Sequence, residues 1–74
     1  MRQFQIVTEK TYEGYDASVP SIRECESWAK TEDEALDNLI ERLKFFLSEE
    51  GDLKYRLDRS RREDGKTFYT IILE

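Results

Sequence analysis

Histidine is absent from the sequence, and cysteine occurs once, at Cys25, among 74 residues. A lone thiol cannot close an intrachain disulfide, and without histidine it cannot complete a structural zinc site. Nor has Cys25 an imidazole base to take its proton, so a buried, inert core thiol is expected rather than a nucleophile. No apolar run nears the ~20 residues of a membrane-spanning helix, and the first residues lack the basic-then-apolar pattern of a secretory leader. A free thiol suits a reducing compartment, so the expectation is a cytoplasmic protein with no membrane partner and no cofactor. Bases are outnumbered, 12 against 17 acids, for a net charge of -5. That balance argues against a general nucleic-acid binder but leaves room for a local basic patch. A core this small rarely supplies more than about 3–5 kcal/mol unaided. With neither disulfide nor metal to help, self-association into a homo-oligomer, dimer or tetramer, is the expected source of further stability.

What is present reads as strands around one helix. Arg2 to Thr8 alternates, with Phe4, Ile6 and Thr8 on one face and Gln5 and Val7 on the other, which predicts a strand. Tyr12-Glu13-Gly14 supplies a turn, and Tyr15, Ala17 and Val19 alternate with Asp16 and Ser18 until Pro20 stops the ladder. A third strand is predicted from Cys25 to Lys30. Its small residues Cys25, Ser27 and Ala29 face inward, and Glu26, Trp28 and Lys30 face away. Thr31-Glu32-Asp33-Glu34 is a capping box, and its three acids suit the positive end of a helix. Leu36, Leu39, Ile40, Leu43 and Leu47 then form one stripe at helical spacing, with Gly51 as the expected C-terminal cap. Phe45 falls off that stripe, so it is covered either by the last segment or by a partner. Lys54 to Glu63, the Asp64-Gly65 turn and Lys66 to Leu73 predict a closing hairpin. The expected fold class is α+β, in the order β-β-β-α-β-β: an antiparallel sheet with one helix packed on one face. It is read as one domain over 1–74, with 1–50 as the β-β-β-α core and 53–74 as the C-terminal hairpin.

Three runs arrive in order: Glu13-Gly14-Tyr15-Asp16-Ala17-Ser18-Val19-Pro20, then Cys25-Glu26-Ser27, then Thr31-Glu32-Asp33-Glu34-Ala35-Leu36-Asp37-Asn38. Together they resemble the HicB antitoxin family, over roughly Phe4 to Leu47. Where that family commonly carries Pro-Gly before the cysteine and Gly-Asp before the threonine, this chain has Arg23-Glu24 and Ala29-Lys30. After Leu47 only a hairpin is expected, so the operator binding of longer members is not carried over. The resemblance implies a partial ribonuclease-H-like fold, oligomerisation, and inhibition of a small basic toxin ribonuclease.

An enzyme is not expected. Ribonuclease-H chemistry needs a carboxylate cluster beginning on the first strand, and Phe4 to Thr8 contains no carboxylate. Trp28 is expected on the sheet face away from the helix, with Val7, as an interface residue or under a folded-back hairpin. Together with Phe45 and the acids Glu32 and Asp33 it forms the expected partner contact. The one basic region runs from Lys54 to Lys66, six bases against three acids. Its Arg59, Arg61 and Arg62 are the candidates for an alternative function, a solitary nucleic-acid-binding or regulatory module. Edge protection or pairing with an acidic second subunit explains the same charges without nucleic acid.

Overall fold

The reason for a one-sided sheet lies in the alternation of its strands: one face is apolar and takes the helix, the other is mixed. The computed structural model describes residues 2–47 and 54–73. The elements are β1 (Arg2–Lys10), β2 (Tyr15–Ser18), β3 (Glu26–Ala29), α1 (Glu32–Phe46), β4 (Tyr55–Glu63) and β5 (Lys66–Leu73). The strands make one five-stranded sheet in the order β3-β2-β1-β5-β4. Every neighbouring pair is antiparallel. The α+β class and the antiparallel sheet with one helix are thus as expected from the sequence.

The central strand runs beyond its expected end because it is paired along both edges. β2 holds Val7 to Lys10 and β5 holds Arg2 to Glu9. This corrects the expectation that strand one contains no carboxylate, since Glu9 lies inside it, exposed on the open face. β2 is shorter than its alternation suggests and stops at Ser18. Val19 instead enters a tight excursion, its N–H donating to the Cys25 carbonyl at 3.0 Å and its carbonyl accepting from Ile22 at 3.0 Å. That excursion starts β3 at Glu26 rather than Cys25 and leaves Lys30 outside it.

Gly14 shows why the approach to β2 needs glycine. A Cβ there would sit 2.3 Å from the Ala29 carbonyl oxygen and 2.9 Å from Cζ2 of Trp28. The backbone of β3 and the indole occupy the space of the missing side chain.

Thr31 caps α1 as its sequence suggests, its hydroxyl accepting from the Glu34 amide at 3.2 Å. Leu47 is the C-cap, its N–H donating to the Leu43 carbonyl at 2.9 Å; Gly51 lies outside the described residues. The helix crosses β3, β2 and β1 and does not reach β4 or β5 closely. Small residues make that crossing tight: Ala17, Ala29 and Ala35 are buried, and Ser27 Oγ donates to the Ala35 carbonyl at 2.7 Å. Ile6, Leu39, Leu43 and Ile71 are fully buried between the layers, each worth about 1.5–3 kcal/mol of transfer free energy.

The closing turn holds Asp64 at φ 52 and Gly65 at φ 77, the two left-handed positions of a type I′ hairpin. The hairpin extends the sheet beyond β1 and does not fold back over Trp28, which is 46% exposed. Its outer strand has an irregularity: the register shifts between Arg59 and Arg61, so that two residues oppose one on β5.

Candidate functional site

The four expected partner contacts do not fall on one surface. Asp33 and Phe45 lie on the outer face of α1, Trp28 on the open face of the sheet, and Glu32 between the layers.

The outer face of α1 carries Asp33, Asp37 and Glu41 at successive four-residue spacings, all exposed, and the same line ends on Phe45. Four residues along a helix is one turn, so these side chains stack into a single acidic ridge with an aromatic end. Glu34 and Asn38 flank it, the half-buried Lys44 stands beside its Asp33–Asp37 edge, and Arg42 turns away to border the depression on the sheet's open face. Phe45 is 80% exposed and meets only the edge of Phe46, with ring centroids 6.1 Å apart. Among the described residues nothing packs over it.

Glu32 faces the other way. It stands four residues before Leu36, on the core stripe, and half-buried it accepts from the hydroxyl of Thr8 at 2.8 Å. Burial, and then the hydrogen bond and negative charge of Glu32, raise the Tyr69 hydroxyl above its usual range. Arg62 completes the cluster, its Nε donating to Thr67 Oγ1 at 3.2 Å. Glu32 therefore ties the start of α1 to β1 and β5. The sequence reading took it as a helix-start acid and a partner contact, although its spacing from Leu36 and Ile40 marks the buried stripe.

On the open face the register places Glu26, Ser18, Val7, Phe68 and Arg61 in one row across all five strands. The row toward the hairpin turn reads Trp28, Asp16, Glu9, Lys66 and Glu63. Trp28 is 46% exposed. Between it and Phe68 lies a broad depression of about 730 Å³, walled by Glu9, Asp16, Glu24, Glu26 and Lys66. The Arg61 guanidinium rides 4.4 Å above the centre of the Phe68 ring, a cation–π contact.

The three arginines weighed for nucleic acid are divided by the bulge. Arg59 and Arg62 pair with Tyr69 and Thr67 on the helix side, whereas Arg61 pairs with Phe68 on the open side. Sequence alternation alone cannot show this, because the extra residue, Ser60, reverses the faces after it. Cys25 is buried, and burial raises its thiol above the usual range while Arg42 pulls it partly back. Among the described residues no group of three or more His, Cys, Asp or Glu side chains is placed to hold a metal ion. No described helix is long and apolar enough to cross a membrane. No protein-family model matches the chain, and neither does any curated protein or solved structure.

Proposed function

We propose that the chain is a HicB-like antitoxin that binds a small basic toxin ribonuclease through the outer face of α1 and neutralises it by covering it, without chemistry of its own. The observation that carries this reading is the ridge Asp33, Asp37, Glu41, ending on the 80% exposed Phe45. An acidic ridge steers a basic partner and fixes its orientation. A large exposed aromatic at its end supplies the desolvated anchor that charge alone does not.

The local geometry of the resembling segments supports the family reading. Gly14 is required by the close approach of β3. Glu24 takes φ 67, a left-handed conformation, where the family commonly has glycine. Thr31 caps the helix. On the same reading the three antiparallel strands followed by a helix across them are taken as the partial ribonuclease-H-like unit. The alternative nucleic-acid reading finds less support, because the bulge turns Arg61 to the opposite face from Arg59 and Arg62, although all three border one shallow depression at the edge of β4.

The test is co-expression with the products of neighbouring reading frames. A small basic protein, toxic alone and harmless with this chain, is expected to co-purify at fixed stoichiometry. Combined Asp37→Lys and Glu41→Lys should slow association by about tenfold or more at low salt, and Phe45→Ala should speed dissociation. Absence of any such partner, or binding indifferent to these changes, overturns the proposal. Salt-dependent RNA or DNA binding lost in Arg59→Ala with Arg62→Ala would move the function to the hairpin.

A further inference from the structure

The outer edge of β4 gathers charge of one sign. β4 ends the sheet, so the backbone N–H groups along its free side have no strand to donate to. At its bulge lies a depression of about 290 Å³, lined by Arg59, Ser60, Arg61 and Arg62, with no acid in its wall. The bulge brings these residues to one place. In an unbroken strand Arg59 and Arg61 would share one face and Arg62 would take the other. Here Arg59 and Arg62 belong to the helix side and Arg61 to the open side, with the extra residue, Ser60, between them.

Several contacts hold this arrangement. Ser60 Oγ donates to the Phe68 carbonyl at 3.0 Å, and Arg62 Nε donates to Thr67 Oγ1 at 3.2 Å. The Arg61 guanidinium lies over the Phe68 ring and beside Glu63 at 3.4 Å. Among the described residues neither Arg59 nor Arg62 has a carboxylate at ion-pair distance; the pairs of this strand are Arg56 with Asp58 and Arg61 with Glu63. Protection of an edge strand asks only for charge somewhere along it. It does not ask that three arginines border one depression, where like charges repel and their fields add.

We propose that the bulge of β4 binds a single phosphate group, held as a dianion by Arg59, Arg61 and Arg62. The planar guanidinium fork presents paired N–H donors that match two phosphate oxygens. Size sets the limit on the ligand. At about 30 Å³ per water in the liquid, the depression holds the equivalent of roughly ten waters. It falls below the about 300–1,000 Å³ of a pocket that encloses a whole small molecule. A phosphate group fits inside, and the rest of the molecule that bears it stays in solvent. With Arg61 on one side of the strand and Arg59 and Arg62 on the other, the site clasps one group at the edge and offers no flat track for a nucleic-acid backbone. The inference is independent of the antitoxin reading, which uses the outer face of α1.

The test is an NMR titration of the isotope-labelled full chain at constant ionic strength, with chloride making up the balance. Inorganic phosphate, a nucleoside monophosphate and a short single-stranded RNA are the separate probes. Phosphate and the monophosphate should both shift the amides of residues 59–62 and saturate with similar affinity. Arg59→Gln should weaken both at least about tenfold, the worth of a charge-assisted hydrogen bond. Its urea midpoint in chloride should stay level or rise, because a like charge has gone. Arg56→Gln, on the same strand but outside the depression, should change the affinity less than about twofold. From about pH 7 to pH 5 the monophosphate should bind more weakly, since its second ionisation lies near pH 6, whereas sulfate, a dianion throughout, should bind alike at both. The proposal is overturned if phosphate in place of chloride leaves residues 59–62 unshifted, or if Arg56→Gln costs as much as Arg59→Gln. It is equally overturned if only the RNA binds, with an affinity that falls steeply with salt, which would assign the arginines to a nucleic-acid backbone.

Discussion

Replacing Gly14 with alanine measures how closely β3 must approach the start of β2. The added methyl meets two obstacles of different kinds, the Ala29 carbonyl at 2.3 Å and Cζ2 of Trp28 at 2.9 Å. The indole is half-exposed and can swing aside. The carbonyl belongs to β3, and it retreats only if the strand moves away from Tyr15, its partner in the ladder. Overpacking a tight site costs about 1–3 kcal/mol, and a backbone obstacle places this one at about 2–3 kcal/mol. Alanine also narrows the unfolded ensemble, which returns roughly 0.4–1 kcal/mol. The net loss is then about 2 kcal/mol, or roughly 8–16 °C in Tm for a domain of this size. Urea unfolding, followed by the fluorescence of the only tryptophan, reads both the stability and the displaced indole. A variant within about 0.3 kcal/mol of the parent would refute the reasoning, because it would mean that β3 has room to spare.

Two further outcomes follow from the geometry. Glu24 holds φ 67, which costs a side chain about 1 kcal/mol or more; glycine removes that strain and gives back part of it in unfolded-state entropy. Glu24→Gly should therefore unfold at an equal or higher urea midpoint, and a loss above about 1 kcal/mol would show that the Glu24 side chain itself is needed. Cys25 and Tyr69 both titrate higher in the folded chain than their ordinary 9.0 and 10.0. Between the unfolded and folded values the folded state binds more protons, so stability is intact below pH 9 and falls as pH rises above it. Urea midpoints from pH 8 to pH 11 should show that fall, and Tyr69→Phe should flatten its upper part; a midpoint that rises with pH would contradict the burial of both groups.

The elements with strong local chemistry were legible in the sequence. The Thr31 cap, the leucine stripe and the Asp64-Gly65 turn each follow from short-range rules, and the alternation of β1 and β5 follows from burial of one face. What escaped was set by long-range pairing. Arg2 to Lys10 is one long strand because two neighbours share it, which no local pattern records. Glu32 turned inward because Thr8 and Tyr69 await it there, from strands far away in the chain. The division of the arginines depends on one unpaired residue in an edge strand. Period alone set Trp28 off the helix-facing side of its strand and Phe45 off the leucine stripe, but whether the last segment covers them, and that they lie on opposite sides of the molecule, required the assembled layers.

Among the described elements, the helix lies over β1, β2 and β3 only, and β4 touches only β5. Along β4 every residue except Leu57 is exposed. Its attachment is therefore mostly a ladder of hydrogen bonds open to water, with little apolar burial behind it. Such a strand opens at a free energy far below that of global unfolding. In deuterium exchange its amides should lose protection as one group, well ahead of those in β1, while β5, with alternate side chains buried, stays closed beneath it. Proteases that cut after arginine should find the same strand first. The expected exchange pattern is thus a slow body of four strands and a helix, with β4 opening separately from it.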